Sequence, residues 1–126
     1  MNNLDLAFAP AVEQLRWLAS GQLSAAELLQ LYLDRIDRLN PAYNLVVAFD
    51  RERARDVAEE IDRRRAGGDP LGPLAGLPIT IKDSFEVVGM PATCGFQHLR
   101  EHRPQQDADA VLRLRQAGAN IFGKTN

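Results

Sequence analysis

Four groups of residues stand at spacings that could support chemistry. Gly118 to Thr125 reads GANIFGKT and satisfies G-x-x-x-x-G-K-[ST], the pattern of a loop that cradles phosphate with backbone N–H groups and a lysine. Lys82 and Ser84 lie two residues apart in IKDS, a base and a hydroxyl that could act as nucleophile. His98 and His102 are four residues apart, as two metal ligands on one helical face are. Arg63, Arg64 and Arg65 form the densest basic run, a pattern that can meet phosphate. Cys94 is the only cysteine, so the sequence can build neither an internal disulfide nor a thiolate metal cluster.

The elements that must hold these residues decide among them. A phosphate loop needs a strand before its first glycine and a helix after its lysine. Here a helical pattern at Ala110, Val111, Leu114 and Ala117 precedes Gly118, and Ala119 to Phe122 reads as a final strand. The order of elements is wrong for nucleotide binding, and Lys124 reads as a strand-end residue whose loss should leave chemistry largely intact. Pro104 opposes a helix through His98 and His102, which leaves two exposed loop histidines and no expected metal. The arginine run follows Glu59, Glu60 and Asp62 at a helix end, where cations complement the helix dipole.

Those elements follow from local patterning. Val12, Leu15, Leu18 and Ala19 repeat with a helical period, and Gly21 stops that helix. In SAAE, Ser24 and Glu27 form a capping box ahead of Leu28, Leu29, Tyr32, Leu33, Ile36 and Leu39. Asn40-Pro41 is expected to end this second helix. LVVAF, residues 45–49, suits a short buried strand, and Asp50 caps a helix through Ala54, Val57, Ala58 and Ile61 that Gly67-Gly68 terminates. After a surface turn at Asp69 to Pro73, LPITIKDSF alternates: Leu77, Ile79 and Ile81 face one way, and Thr80, Lys82 and, if the strand continues, Ser84 face the other. Gly89 to Gln105 is a long connection of the kind found in binding and catalytic regions, and Asp107 is expected to cap the last helix, with Gly118 closing it.

Composition narrows the function classes. With 126 residues, 45% hydrophobic and 25% charged, the chain reads as one soluble globular domain, and no apolar stretch approaches the ~20 residues of a membrane span. Fifteen basic against seventeen acidic side chains provide no field that would gather nucleic acid. The N-terminus lacks the basic and apolar regions of a signal or transit peptide, so a cytoplasmic location is expected.

On spacing alone, Lys82 reads as an edge lysine whose stem snorkels its charge to water. Its surroundings change that reading. GPLAGLPITIKDSFEVVGMPATCGF, residues 72–96, and DADAVLRLRQAGANIFGKTN, residues 107–126, resemble the N-terminal part of the amidase signature family. LSAAELLQLYLDRIDRLNPAYNLVV, upstream, resembles that family's opening helix and first strand, so the likeness extends over most of the chain. The G-P-L-x-G-x-P-x-x-x-K-D run is its most specific part.

The resemblance implies an α/β fold, a mixed sheet flanked by helices, of which this chain supplies the N-terminal part. That part divides into a helical segment 1–40, a strand and helix 45–66, a lysine-bearing strand and loop 72–105, and a helix and strand 107–126. It also implies a Ser-cisSer-Lys triad in which Lys82 is the general base. Both serines and the oxyanion donors belong to a Gly/Ser-rich segment later than GKTN, which these residues do not include. Phe96 stands where members often have serine, a departure that touches only a loop. An ammonium cannot accept a proton, so a lysine base must be held neutral against an ordinary value near 10.4; that is worth about 4 kcal/mol, supplied by burial and neighbouring donors. The neutral amine could then relay a proton from the cis-serine as the nucleophile attacks an amide carbonyl.

Asp83 alternates to the other side of the strand and reads as an anchor for the following turn, not a charge partner of Lys82. Ser84 lies about 6 to 7 Å along a strand from Lys82, too far for a direct hydrogen bond, and no oxyanion donors are identifiable beside it. The expected function is therefore hydrolysis of a carboxylic amide C–N bond, without cofactor or metal, by a chain that is inactive in isolation. Small-molecule amides are the implied partners, including the glutamine or asparagine amides of transamidosome subunits, and homo-oligomers are compatible with a cut sheet. The alternative is a non-catalytic truncated module that self-associates or binds a complementary fragment.

Overall fold

Apolar periodicity and capping fix the helices first. The computed structural model describes residues 3–126, and side chains from Leu6 onward. Helix α1 spans Asn3–Phe8, α2 Ala11–Ser20, α3 Ala25–Tyr43, α4 Arg51–Ala66 and α5 Asp109–Gln116; the strands are β1 Val46–Phe49, β2 Pro78–Lys82 and β3 Asn120–Thr125. The Ser24–Glu27 capping box forms as the sequence predicts. Asp62 reinforces it from α4, its two carboxylate oxygens accepting from the Ala25 and Ala26 N–H groups at 2.8 and 3.0 Å. Gly21 closes α2 in the left-handed region.

The sheet is mixed, in the order β1-β3-β2, with β1 antiparallel and β2 parallel to the central β3. The parallel pair requires a crossover, which the long loop and α5 supply. One core lies between α2, α3 and α4 and includes Leu18, Leu28, Leu29, Leu33, Ala58 and Phe122. A second joins Ile81, Val87, Met90 and Ile121 to Val111 of α5. Adjacent residues of β3 thus serve opposite cores, as strand alternation requires.

Three sequence expectations are corrected, and one left conditional is decided. Helix α3 does not stop at Asn40-Pro41 but runs to Tyr43 with Pro41 inside its last turn. Asn44 ends it in the left-handed region, donating to Asn40 O at 2.7 Å. The Asn40 side chain catches the departing chain, accepting from Leu45 N and Val46 N and donating to Val46 O. Proline loses one helical hydrogen bond there, and the cap replaces the order it would have broken. Asp107 does not cap α5, whose N-cap is Ala108. It accepts instead from Val88 N at 2.7 Å and from Arg115 Nε at 2.8 Å, fastening the loop to the helix. Strand β3 is longer than residues 119–122, because β1 and β2 pair with it through Thr125. Strand β2 ends at Lys82, so Ser84 does not continue its alternation.

Candidate functional site

The end of β2 is set by a turn in which Phe85 N donates to Lys82 O at 3.0 Å, and by Asp83 N donating to Thr125 O at 3.0 Å. Lys82 pairs with Thr125 in the parallel register, while its neighbour Ile81 pairs with Lys124. Paired residues share a face, so the two lysines emerge on opposite sides of the sheet. Their environments differ completely: Lys82 is exposed, whereas Lys124 is fully buried. Among the described residues, none closes a pocket over the Lys82 side chain.

Lys124 is next to last in β3, at the strand end that the sequence suggests, but it is fully buried there. Its Nζ donates to Phe85 O at 2.8 Å, Pro91 O at 2.9 Å and Asp83 Oδ1 at 3.4 Å. An ammonium has three donors and no acceptor, so three converging oxygens satisfy it in full. Asp83 is buried beside it, accepting from Thr93 Oγ1 at Oδ2 and from Thr93 N at Oδ1, 3.3 Å away. Burial alone would push the Asp83 carboxyl up; the Thr93 hydrogen bonds and the Lys124 charge outweigh it and hold the carboxyl below its ordinary value. Asp83 thus anchors the turn as the sequence suggests, and it is also the counter-ion of Lys124.

A β-bulge explains how Lys124 comes to point inward. The register passes from Ile79–Ile121 to Thr80–Gly123, so Phe122 is the extra residue and Lys124 returns to the face that holds Ile81 and Ile121. No residue-by-residue alternation reveals that shift. The one signal in the sequence is a lysine inside an apolar, glycine-interrupted strand pattern.

The remaining motif residues are engaged otherwise. The GANIFGKT stretch is the crossover junction and central strand: Ala119 N donates to Leu114 O and Asn120 N to Leu77 O, so its amides serve the fold instead of forming a phosphate cradle. His102 Nε2 lies 3.1 Å from Glu86 Oε1, and His98 lies against Phe96. The 3-10 turn Gln97–Leu99 ends before a four-residue helical spacing could arise, and the described residues contain no group of three metal-ligating side chains. Arg64 bonds Pro70 O and Arg65 bonds Ala75 O, tying the end of α4 to the next loop. Of the serines, Ser20 bonds Trp17 O, Ser24 is the cap, and Ser84 is exposed in the turn. Cys94 is exposed, and no helix among the described residues is long and apolar enough to cross a membrane.

Comparison with known proteins follows the same segments. The family model described as Amidase matches residues 27–126. The chain is 43% identical to a subunit of the glutamyl-tRNA(Gln) amidotransferase of Salinispora tropica, over 97% of this chain and 25% of that protein. It is 39% identical to an acylamidase of Rhodococcus erythropolis, over 100% of this chain and 26% of that protein. It superposes on a bacterial aryl acylamidase of the amidase signature enzymes with a TM-score of 0.88, at 29% identity, covering 94% of this chain and 25% of that one. A peptide amidase from Stenotrophomonas maltophilia matches with a TM-score of 0.85 at 36% identity, over 95% of this chain and 25% of that one. The chain thus spans about a quarter of the length of these relatives.

Proposed function

We propose, from the premise that this chain belongs to the amidase family, that it supplies the general base of an amide hydrolase, and that the base is Lys82. The observation that carries this reading is the fate of the LPITIKD segment. It folds as a strand that ends on a lysine whose side chain is exposed, with its backbone held on both sides by Thr125 and Phe85. Lys124, the competing lysine, has every donor occupied inside the fold. A second wall placed over Lys82 would desolvate its amine and bring a serine hydroxyl within reach; the 126 residues provide the lysine and not that wall.

The reaction is cleavage of a carboxylic amide C–N bond. The relatives are named for acyl, aryl-acyl and peptide amides and for glutamyl-tRNA amidotransfer, and an amide carbon is what these names have in common. The catalytic serines lie in a segment absent from this sequence, whose own Ser20, Ser24 and Ser84 are a helix-end residue, a cap and a turn residue. The test is release of ammonia or amine, according to the leaving group, from a panel of aliphatic, aryl and peptide amides and glutamine. The complete gene product containing these residues should hydrolyse at least one class, and the isolated chain none. A folded gene product that releases neither ammonia nor amine from any amide contradicts the reading.

The open sheet favours a second reading. β1 and β2 each have an unpaired edge among the described residues, and Val47, Phe85 and Phe96 expose apolar surface. A non-catalytic module that covers these surfaces by self-association or with a complementary fragment fits that observation. It predicts stable assembly by light scattering together with silence toward every amide.

A further inference from the structure

Among the described residues, Lys124 is the one buried cation whose role the hydrolytic chemistry leaves open. We infer that it is a positioning residue: its ammonium, with Asp83 and Thr93, pins the loop that leaves β2 and so fixes the place and direction of Lys82. This rests on the reading of Lys82 as the base.

The geometry is that of a staple driven from β3 into the loop. Three points of the connection, Asp83, Phe85 and Pro91, bond the same nitrogen. A fourth, Thr93, bonds the carboxylate that balances it, and the Thr93 hydroxyl also accepts from Gly95 N at 3.1 Å. Asp83 is the residue next to Lys82, and Phe85 N holds the Lys82 carbonyl. The staple therefore grips the chain immediately after the proposed base and again partway along the loop, at Pro91 and Thr93. Val87 and Met90, between those points, are buried against Ile81 and Val111, so this part of the loop closes over an apolar floor.

Lysine fits this place because its donors radiate from one atom toward three oxygens, where a planar guanidinium would need a wider cavity. Removing the ammonium would leave Asp83 Oδ1 and two carbonyls without it in a buried site, and the turn that carries Lys82 would relax. A catalytic group displaced by about 1 Å can lose about a hundredfold in rate while substrate binding remains. Lys124 is then not dispensable, as a residue at a frayed strand end would be.

The test compares Lys82→Met, Lys124→Met, Thr93→Val and Thr93→Ser in the complete gene product, by kcat and KM on an amide it hydrolyses. Lys124→Met should lower kcat about 10- to 100-fold with KM within about threefold. Thr93→Val should lower kcat about 5-fold or more, and Thr93→Ser, which keeps the hydroxyl, should restore at least half of the turnover. Thr93 is only partly buried, so this pair decides the matter even if Lys124→Met does not fold. A large loss in Lys82→Met with equal turnover in Thr93→Val and Thr93→Ser overturns the positioning role alone. Full turnover in Lys82→Met overturns the assignment of the base, and the positioning role with it.

Discussion

Gly118 opens the phosphate-loop-like pattern, and replacing it with alanine separates a packing glycine from a ligand-binding one. Its φ is +94°, a region in which a residue with a Cβ is penalised by about 1–2 kcal/mol. A Cβ there would also lie 2.9 Å from Ala75 Cα and 3.1 Å from Ala75 N, both backbone atoms that cannot rotate away. The loop before β2 is held at this point by Gly76 N donating to Gly118 O at 3.1 Å and Leu74 N to Ala117 O at 2.8 Å. Overpacking of this kind adds about 1–3 kcal/mol, so Gly118→Ala should destabilise the fold by about 2–5 kcal/mol. That is a large share of the ~5–15 kcal/mol typical of a domain. Gly21→Ala is the control: its φ is +72° with nothing within 4 Å of the added Cβ, so it bears the backbone penalty alone. Urea unfolding followed by the fluorescence of Trp17, the only tryptophan, gives both values. Equal losses in the two variants would refute the close-packing argument.

Other outcomes follow from the same structure. Asp62→Ala removes the acceptor of two N–H groups at the start of α3 and should lower stability by about 1–2 kcal/mol in urea titration. Because the Asp83 carboxyl is held below its unfolded value near 3.9, the unfolded chain takes up its proton first on acidification. Its contribution is present above about pH 4 and is lost as pH falls through the folded value. Asp83→Asn should flatten that slope in acid unfolding curves, leaving the part due to Glu27 and Asp37, whose carboxyls are held low by the Ser24 N–H and by Arg51. Lys82→Met changes an exposed side chain and should leave the unfolding free energy within about 0.5 kcal/mol of the parent.

Local physics made much of this fold legible. The Ser24 box, the Asp50 cap, the stop at Gly21 and the alternation of Ile79 and Ile81 all depend on neighbours in sequence, and each forms where its local pattern predicts. The residues that escaped depend on tertiary partners. Pro41 is carried inside a helix because the Asn40 amide reorganises the exit. Asp107 is drawn from a cap into a bond with Arg115 across the loop. At the candidate site, the strand under Lys82 and the turn anchored by Asp83 are legible in the sequence, but the burial of Lys124 is not. A bulge at Phe122 decides which way Lys124 points, and a bulge is a property of the strand pair, not of one strand's pattern.

The central claim, that the amine at position 82 takes the proton during amide cleavage, is tested most directly by the turnover of Lys82→Met in the complete gene product. With its folding unchanged, kcat should fall by the ~10²–10⁴-fold that a general base contributes. Turnover within a few-fold of the parent would contradict the claim and leave Lys82 an ordinary exposed lysine at the end of a strand.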